Sequence, residues 1–125
     1  MKKFFIVGIV LLLFAVGCGT EKPVLRKPFN KCTARDLLEY GRALFNAEYY
    51  KDAIKQYRYV IGKFPNNKVE CAWAQYELAY TYYYKGEDKI ALREFKKVVK
   101  LYPDIRGPVV LANKMIEKIT ISSMN

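Results

Sequence analysis

The chain has 125 residues, no histidine, and 22 basic against 12 acidic side chains, for a formal net charge of +10. Without histidine it lacks the commonest general base and the commonest metal ligand, and no Gly-rich phosphate loop or nucleophile elbow stands in for them. An enzyme therefore has no positive support, and neither a cofactor nor a metal or small-molecule substrate is expected.

Lys2 and Lys3 precede the apolar run Phe4 to Phe14, eleven residues long. A bilayer takes about 20 residues to span, so this run is too short to cross one. Ala15, Val16 and Gly17 then supply the small residues a signal peptidase needs. Residues 1–17 read as a removable targeting segment. Small residues running straight into Cys18 resemble the lipobox of bacterial lipoproteins, with Ala15 standing where that motif most often has Leu. The resemblance implies a lipoprotein signal peptide, a covalent lipid on Cys18, and a lipid-anchored place in the bacterial cell envelope. Gly19, where Asp would mark inner-membrane retention, points to the outer membrane facing the periplasm.

Loss of residues 1–17 removes Lys2 and Lys3 and no acid, leaving 20 basic and 12 acidic residues, a net charge of +8. Such a charge attracts anionic membrane, cell wall or an acidic partner, or it simply solvates the helices. Exported proteins rarely meet nucleic acid, which is not expected as a partner.

Residues 18–32 read as the lipidated cysteine and a flexible basic tether. Pro23, Pro28 and the absence of helical periodicity make it semi-extended, with a reach of about 40 Å at roughly 3.3 Å per residue. Its Lys22, Arg26, Lys27 and Lys31 are expected to lie free or against headgroups.

From Thr33 the pattern turns helical. Thr33 with Asp36 reads as a capping box, and Leu37, Leu38, Tyr40, Leu44 and Phe45 recur at helical spacing to Asn46. A second helix is expected over about 50–63, with Ala53, Ile54, Tyr57, Val60 and Ile61 inward. Asn67 with Glu70 predicts a cap for a third helix to about Tyr84, followed by Gly86 at a position suited to positive φ. A fourth helix spans about 88–101. Gly107 and Pro108 open a fifth, with a frayed tail after Ile121.

The first helix pair falls on the second at an offset of 38 residues: Gly41 on Ala79, Ala53 on Ala91, Tyr57 on Phe95, Val60 on Val98, Pro65 on Pro103. The chain is an internal repeat. Leu37, Tyr40, Gly41, Leu44, Ala53, Tyr57 and Pro65 in one copy, and Gln75, Leu78, Ala79, Tyr82, Ala91, Phe95 and Pro103 in the other, resemble the tetratricopeptide signature. Gln75 departs from its bulky first position. The surplus over a 34-residue repeat lies after Pro65, where four residues add about one helical turn.

The resemblance implies an all-α fold: a short α-solenoid of two tetratricopeptide-like helix pairs plus a C-terminal capping helix. The domain covers 33–121, with repeats at about 34–67 and 68–105 and the cap at about 107–121. Together with the lipobox it resembles the BamD (ComL) outer-membrane assembly lipoproteins and the repeat domain of the YbgF proteins associated with Tol-Pal. A BamD protein carries more repeats than the two read here. The implied role is an adaptor that binds another envelope protein, within outer-membrane protein assembly or envelope maintenance. The competing role is a structural lipoprotein whose basic domain associates with membrane or wall. So short a repeat stack also leaves its ends open to homodimerisation.

In the tetratricopeptide fold the first helix of each pair lines a concave groove. Carried over here, that places Trp73, Tyr76, Tyr80, Tyr83 and Tyr84 of the third helix, with Arg35, Leu38, Arg42 and Phe45 of the first, as partner-binding residues. Aromatic surfaces with arginines make interface hot spots; the alternative is that Tyr76 and Tyr80 are ordinary core. Cys32 and Cys71 stand near the starts of neighbouring helices. They form either a disulfide, as is usual in an oxidising compartment, or two buried unpaired thiols.

Overall fold

The computed structural model describes residues 21–125. The expected leader, residues 1–17, and Cys18 lie outside the described residues. Five α-helices, a one-turn 3-10 helix (Phe29–Lys31) and no strand occur among those residues: α1 (Ala34–Asn46), α2 (Tyr50–Lys63), α3 (Lys68–Tyr84), α4 (Asp88–Leu101) and α5 (Arg106–Met124).

The local chemistry accounts for most helix ends. Thr33 accepts from the Asp36 amide at 3.2 Å while the Asp36 carboxylate accepts from the Thr33 amide at 3.0 Å, a complete capping box. Gly86 takes φ of +79°, and Glu48, its counterpart at the 38-residue offset, takes +66° in the turn between α1 and α2. A side chain with Cβ is strained in that left-handed region. The expected Asn67 cap is absent: its side chain makes no cap bond, and Glu70 instead meets Arg35 of α1 at 3.4 Å. The tail does not fray at Ile121, since α5 continues to Met124.

Each helix packs on the next in chain order, and α3 also touches α1 and α5. Thus α1, α3 and α5 form one layer, and α2 and α4 form a second, both seated on α3. The core between the layers is built from Leu37, Leu44, Tyr57, Val60, Phe95 and Val98, all with less than 2% of their surface exposed. Side chains of this size contribute on the order of 1.5–3 kcal/mol each when fully buried. Gly41 is required for this packing: a Cβ there would stand 2.6 Å from Tyr57 Cε1.

Gln75 is not a packing fault. It is 4% exposed, and its side-chain amide donates to the Glu94 carbonyl at 3.1 Å and to the Glu94 carboxylate at 3.0 Å. Glu94, itself 3% exposed, is held further by Lys97 at 3.0 Å and Arg93 at 3.1 Å. Burial works to raise the Glu94 carboxyl, but the bonds from Gln75, Lys97 and Arg93 win and hold it below its usual range.

The stretch before α1 is not a free tether. Lys22 pairs with Asp52 at 2.9 Å and lies over the Tyr49 ring at 5.6 Å. Lys27 pairs with Asp36 at 3.1 Å, Leu25 packs against the core, and Phe29 meets Tyr59 edge-on at 4.9 Å. The segment therefore runs as a strap from the first turn of α2 to the start of α1. A cavity of about 340 Å³ remains beneath it, lined by Pro23, Leu25, Asp36 and Tyr40 among others. Lys22 and Lys27, expected to lie free, each found an acid within reach, and Leu25 and Phe29 found apolar surface.

The two cysteines are free, buried thiols, so the disulfide alternative is not the one adopted. They serve different junctions. The Cys71 thiol donates to the Phe64 carbonyl at the end of α2, at 3.1 Å, whereas Cys32 donates to the Pro28 carbonyl in the strap, at 3.5 Å. Burial pushes the Cys71 thiol above its ordinary pKa, which disfavours the reactive thiolate.

Candidate interaction groove

The surface of the α1–α3–α5 layer carries the residues singled out in the sequence. Residues of α3 three and four apart share a face, so Trp73, Tyr76, Tyr80 and Tyr83 form one stripe. Their rings touch in series: Trp73 to Tyr76 at 6.0 Å, Tyr76 to Tyr80 at 6.2 Å, and Tyr80 to Tyr83 at 6.2 Å. Phe45 of α1 extends the series, lying 5.9 Å from Tyr80 and 5.5 Å from Tyr84. All of these are half-buried except Tyr84, which is 58% exposed.

The stripe is thus both floor and surface. Tyr76 leans on the buried Phe95 of α4 at 5.5 Å, and burial raises its phenol above the ordinary value. Neither a purely packed nor a purely exposed description fits.

Charged side chains border the stripe on the α1 side. Arg42 donates to Glu77 at 2.9 Å and to Glu39 at 2.7 Å, and its guanidinium lies 5.7 Å from the centre of the Trp73 ring. Arg35 reaches Glu70. These arginines, with Leu38, Val69 and Trp73, line a shallow cleft of about 310 Å³. Arg42, paired to two carboxylates, presents charge-assisted donors of fixed position, whereas Arg35 is largely exposed. Burial lifts the Glu77 carboxyl above its usual range, and the bond from Arg42 offsets only part of that.

Tyr57 lies under this floor. It is fully buried, and its hydroxyl meets no partner among the described residues. Burial drives its pKa far upward, with the charge of Glu77 adding to the effect.

The far side of the groove is α5, which the sequence reading left out of the site. A Cβ on Gly107 would stand 3.0 Å from Trp73 Cζ2, and Lys118 Nζ lies over the Tyr83 ring at 5.4 Å. Residues 107, 111, 114 and 118 are spaced four, three and four apart, so one stripe of α5 runs beside the aromatic stripe. Leu111 and Lys114 complete it, with Leu111 36% exposed. The signal was available: adding the offset of 38 to Trp73, Tyr76 and Tyr80 gives Leu111, Lys114 and Lys118. The carboxylates Glu39, Glu70 and Glu77 were also missed, because pairing across helices has no local signature.

Among the described residues, no group of three or more His, Cys, Asp or Glu is placed to hold a metal ion, and no helix is long and apolar enough to cross a membrane. No protein-family model, curated protein or solved structure matches the chain at a significant level.

Proposed function

We propose that this protein is a lipid-anchored adaptor of the bacterial envelope, a short tetratricopeptide-type solenoid that docks a segment of another envelope protein in the α1–α3–α5 groove. The observation that carries this reading is the half-open aromatic series Trp73–Tyr76–Tyr80–Tyr83, bordered by Arg42 on one side and Lys118 on the other. Large rigid rings lose little entropy on binding and expose apolar area that a partner can desolvate. Fixed cations at both rims suit a segment whose polar groups flank an apolar strip. The repeat offset supports the tetratricopeptide assignment, and the small residues Gly41 and Ala79 at matching places explain how the paired helices approach. The lipobox-like sequence before Cys18 supports the anchor and the outer-membrane placement.

The test is a photo-crosslinking side chain introduced at Tyr83 or Lys114 in cells, with Lys55 on the opposite layer as the control. A discrete adduct with one envelope protein from the groove positions, and none from position 55, is expected. Adducts of equal yield from all three positions, or from position 55 alone, would overturn the groove. Cys18→Ser tests the anchor separately: the variant should remain unprocessed or leave the membrane fraction.

A further inference from the structure

The basic residues are scattered along the sequence, but the fold collects them. Helices α2 and α4 carry nine basic and three acidic residues, whereas α1, α3 and α5 together carry six and five. Two of the three acids in the α2–α4 layer are withdrawn from its surface. Glu94 is buried and bound by Gln75, Arg93 and Lys97, and Asp52 is paired with Lys22 of the strap. What faces outward is a field of cations that includes Lys55, Arg58, Lys63, Arg93, Lys96 and Lys100, all exposed. In the groove layer Arg35 and Arg42 of α1 are matched by Glu39, Glu70 and Glu77.

The strap gives this face a position. Lys22 is docked at the first turn of α2, and only residues 19–21 separate it from Cys18. At roughly 3.3–3.6 Å per residue, a lipid on Cys18 would be held within about 14 Å of the Lys22 backbone, against the reach of about 40 Å of a free tether. Tyr59, on the outer side of α2, and its neighbour Phe29 are 38% and 44% exposed. Amphipathic rings of this kind settle at the level of lipid headgroups.

We infer that the outer face of α2 and α4 lies on an anionic phospholipid surface, so that the groove is turned away from the membrane and toward its partner. The occupant follows from the unbalanced positive charge and from the point where the chain leaves the domain; the inference rests on the anchor reading for its geometry but not for its chemistry. Anionic headgroups attract such a field within about a Debye length, roughly 8 Å at physiological salt.

The test uses the full chain on vesicles of mixed phosphatidylglycerol and phosphatidylcholine, and on vesicles of phosphatidylcholine alone, with a headgroup-attached quencher. A fluorophore is placed by Lys96→Cys on the basic face or by Lys114→Cys on the groove side. Cys32 and Cys71 are buried, and the parent chain labelled in parallel sets the background. Quenching at position 96 on the mixed vesicles only, none at position 114, and loss of the quenching in about 1 M salt, where the Debye length is about 3 Å, is the expected result. The pair Arg93→Glu and Lys100→Glu should remove most of the quenching read from position 96. Equal quenching at both positions, quenching at position 114 alone, or quenching at position 96 on neutral vesicles would overturn the inference. The acyl mass of the N-terminal peptide reads the anchor independently: its absence would remove the anchor, while quenching by added vesicles would still decide the face.

Discussion

Truncating Tyr80 separates the two duties of the aromatic stripe. A fully buried aromatic side chain covers 150–250 Å², so a half-buried one covers about 100 Å², worth on the order of 2.5 kcal/mol at about 25 cal/mol per Å². Tyr80 also touches three rings, Tyr76, Tyr83 and Phe45, but their packing is included in that area. Tyr80→Ala should therefore cost about 2 kcal/mol, a fall in melting temperature of roughly 10 °C for a domain of this size. Phe95→Ala, in the closed core, should cost about 3–5 kcal/mol, and Tyr84→Ala, mostly exposed, well under about 1 kcal/mol. Thermal unfolding by circular dichroism ranks the three. In cells, the yield of the groove adduct should fall by roughly tenfold or more for Tyr80→Ala at a temperature where the variant is folded, as for a hot-spot ring. A stability loss equal to that of Phe95→Ala would show that Tyr80 is core, and an unchanged adduct yield would move the docking surface elsewhere.

Three further perturbations test the frame beneath the groove. Gly41→Ala must displace the buried Tyr57 ring and should destabilise by about 1–3 kcal/mol; chemical denaturation with no loss would show that α1 and α2 can slide apart. Glu48→Gly relieves a left-handed backbone and should raise stability by up to about 1 kcal/mol, measured against Gly86→Ala, which should lower it. Glu77 has a folded-state pKa above its ordinary 4.5, so its contribution to stability is present below that value and is lost as pH rises through the raised one. Melting temperatures from pH 4 to 7 should accordingly be flatter in Glu77→Gln than in the parent, and parallel curves would refute the assignment.

Much of this architecture was legible because it is local or repeats. The Thr33–Asp36 capping box, the turn at Gly86 and the bounds of α2 and α4 depend on residues a few positions apart. The offset of 38 linked Gly41 with Ala79 and Tyr57 with Phe95. What was hidden depends on pairing between residues distant in sequence. The stretch from Lys22 to Lys31 has no periodicity and two prolines, and by composition it is a linker; its order comes from Asp52, Asp36 and Tyr59, which only the fold brings alongside. Glu70 looked like a helix cap and instead reaches a neighbouring helix. Glu48 gave no sign of its positive φ, since Glu is not a residue that favours it.

The two copies of the repeat also differ in a way that bears on the site. In the first, Leu37 stands where the second has Gln75, and Gln56 stands where the second has Glu94. Gln75 and Glu94 bond to one another, whereas the side-chain amide nitrogen of Gln56 has no acceptor among the described residues. An unmet buried donor costs about 1–3 kcal/mol, so the first pair is the weaker of the two on this count. That weakness falls where the strap from Lys22 to Lys31 adds contacts to α1 and α2. The strap thus supports the copy whose interior is less complete. In physical terms, the groove can keep its geometry on a short stack because α5 closes one end and the strap closes the other.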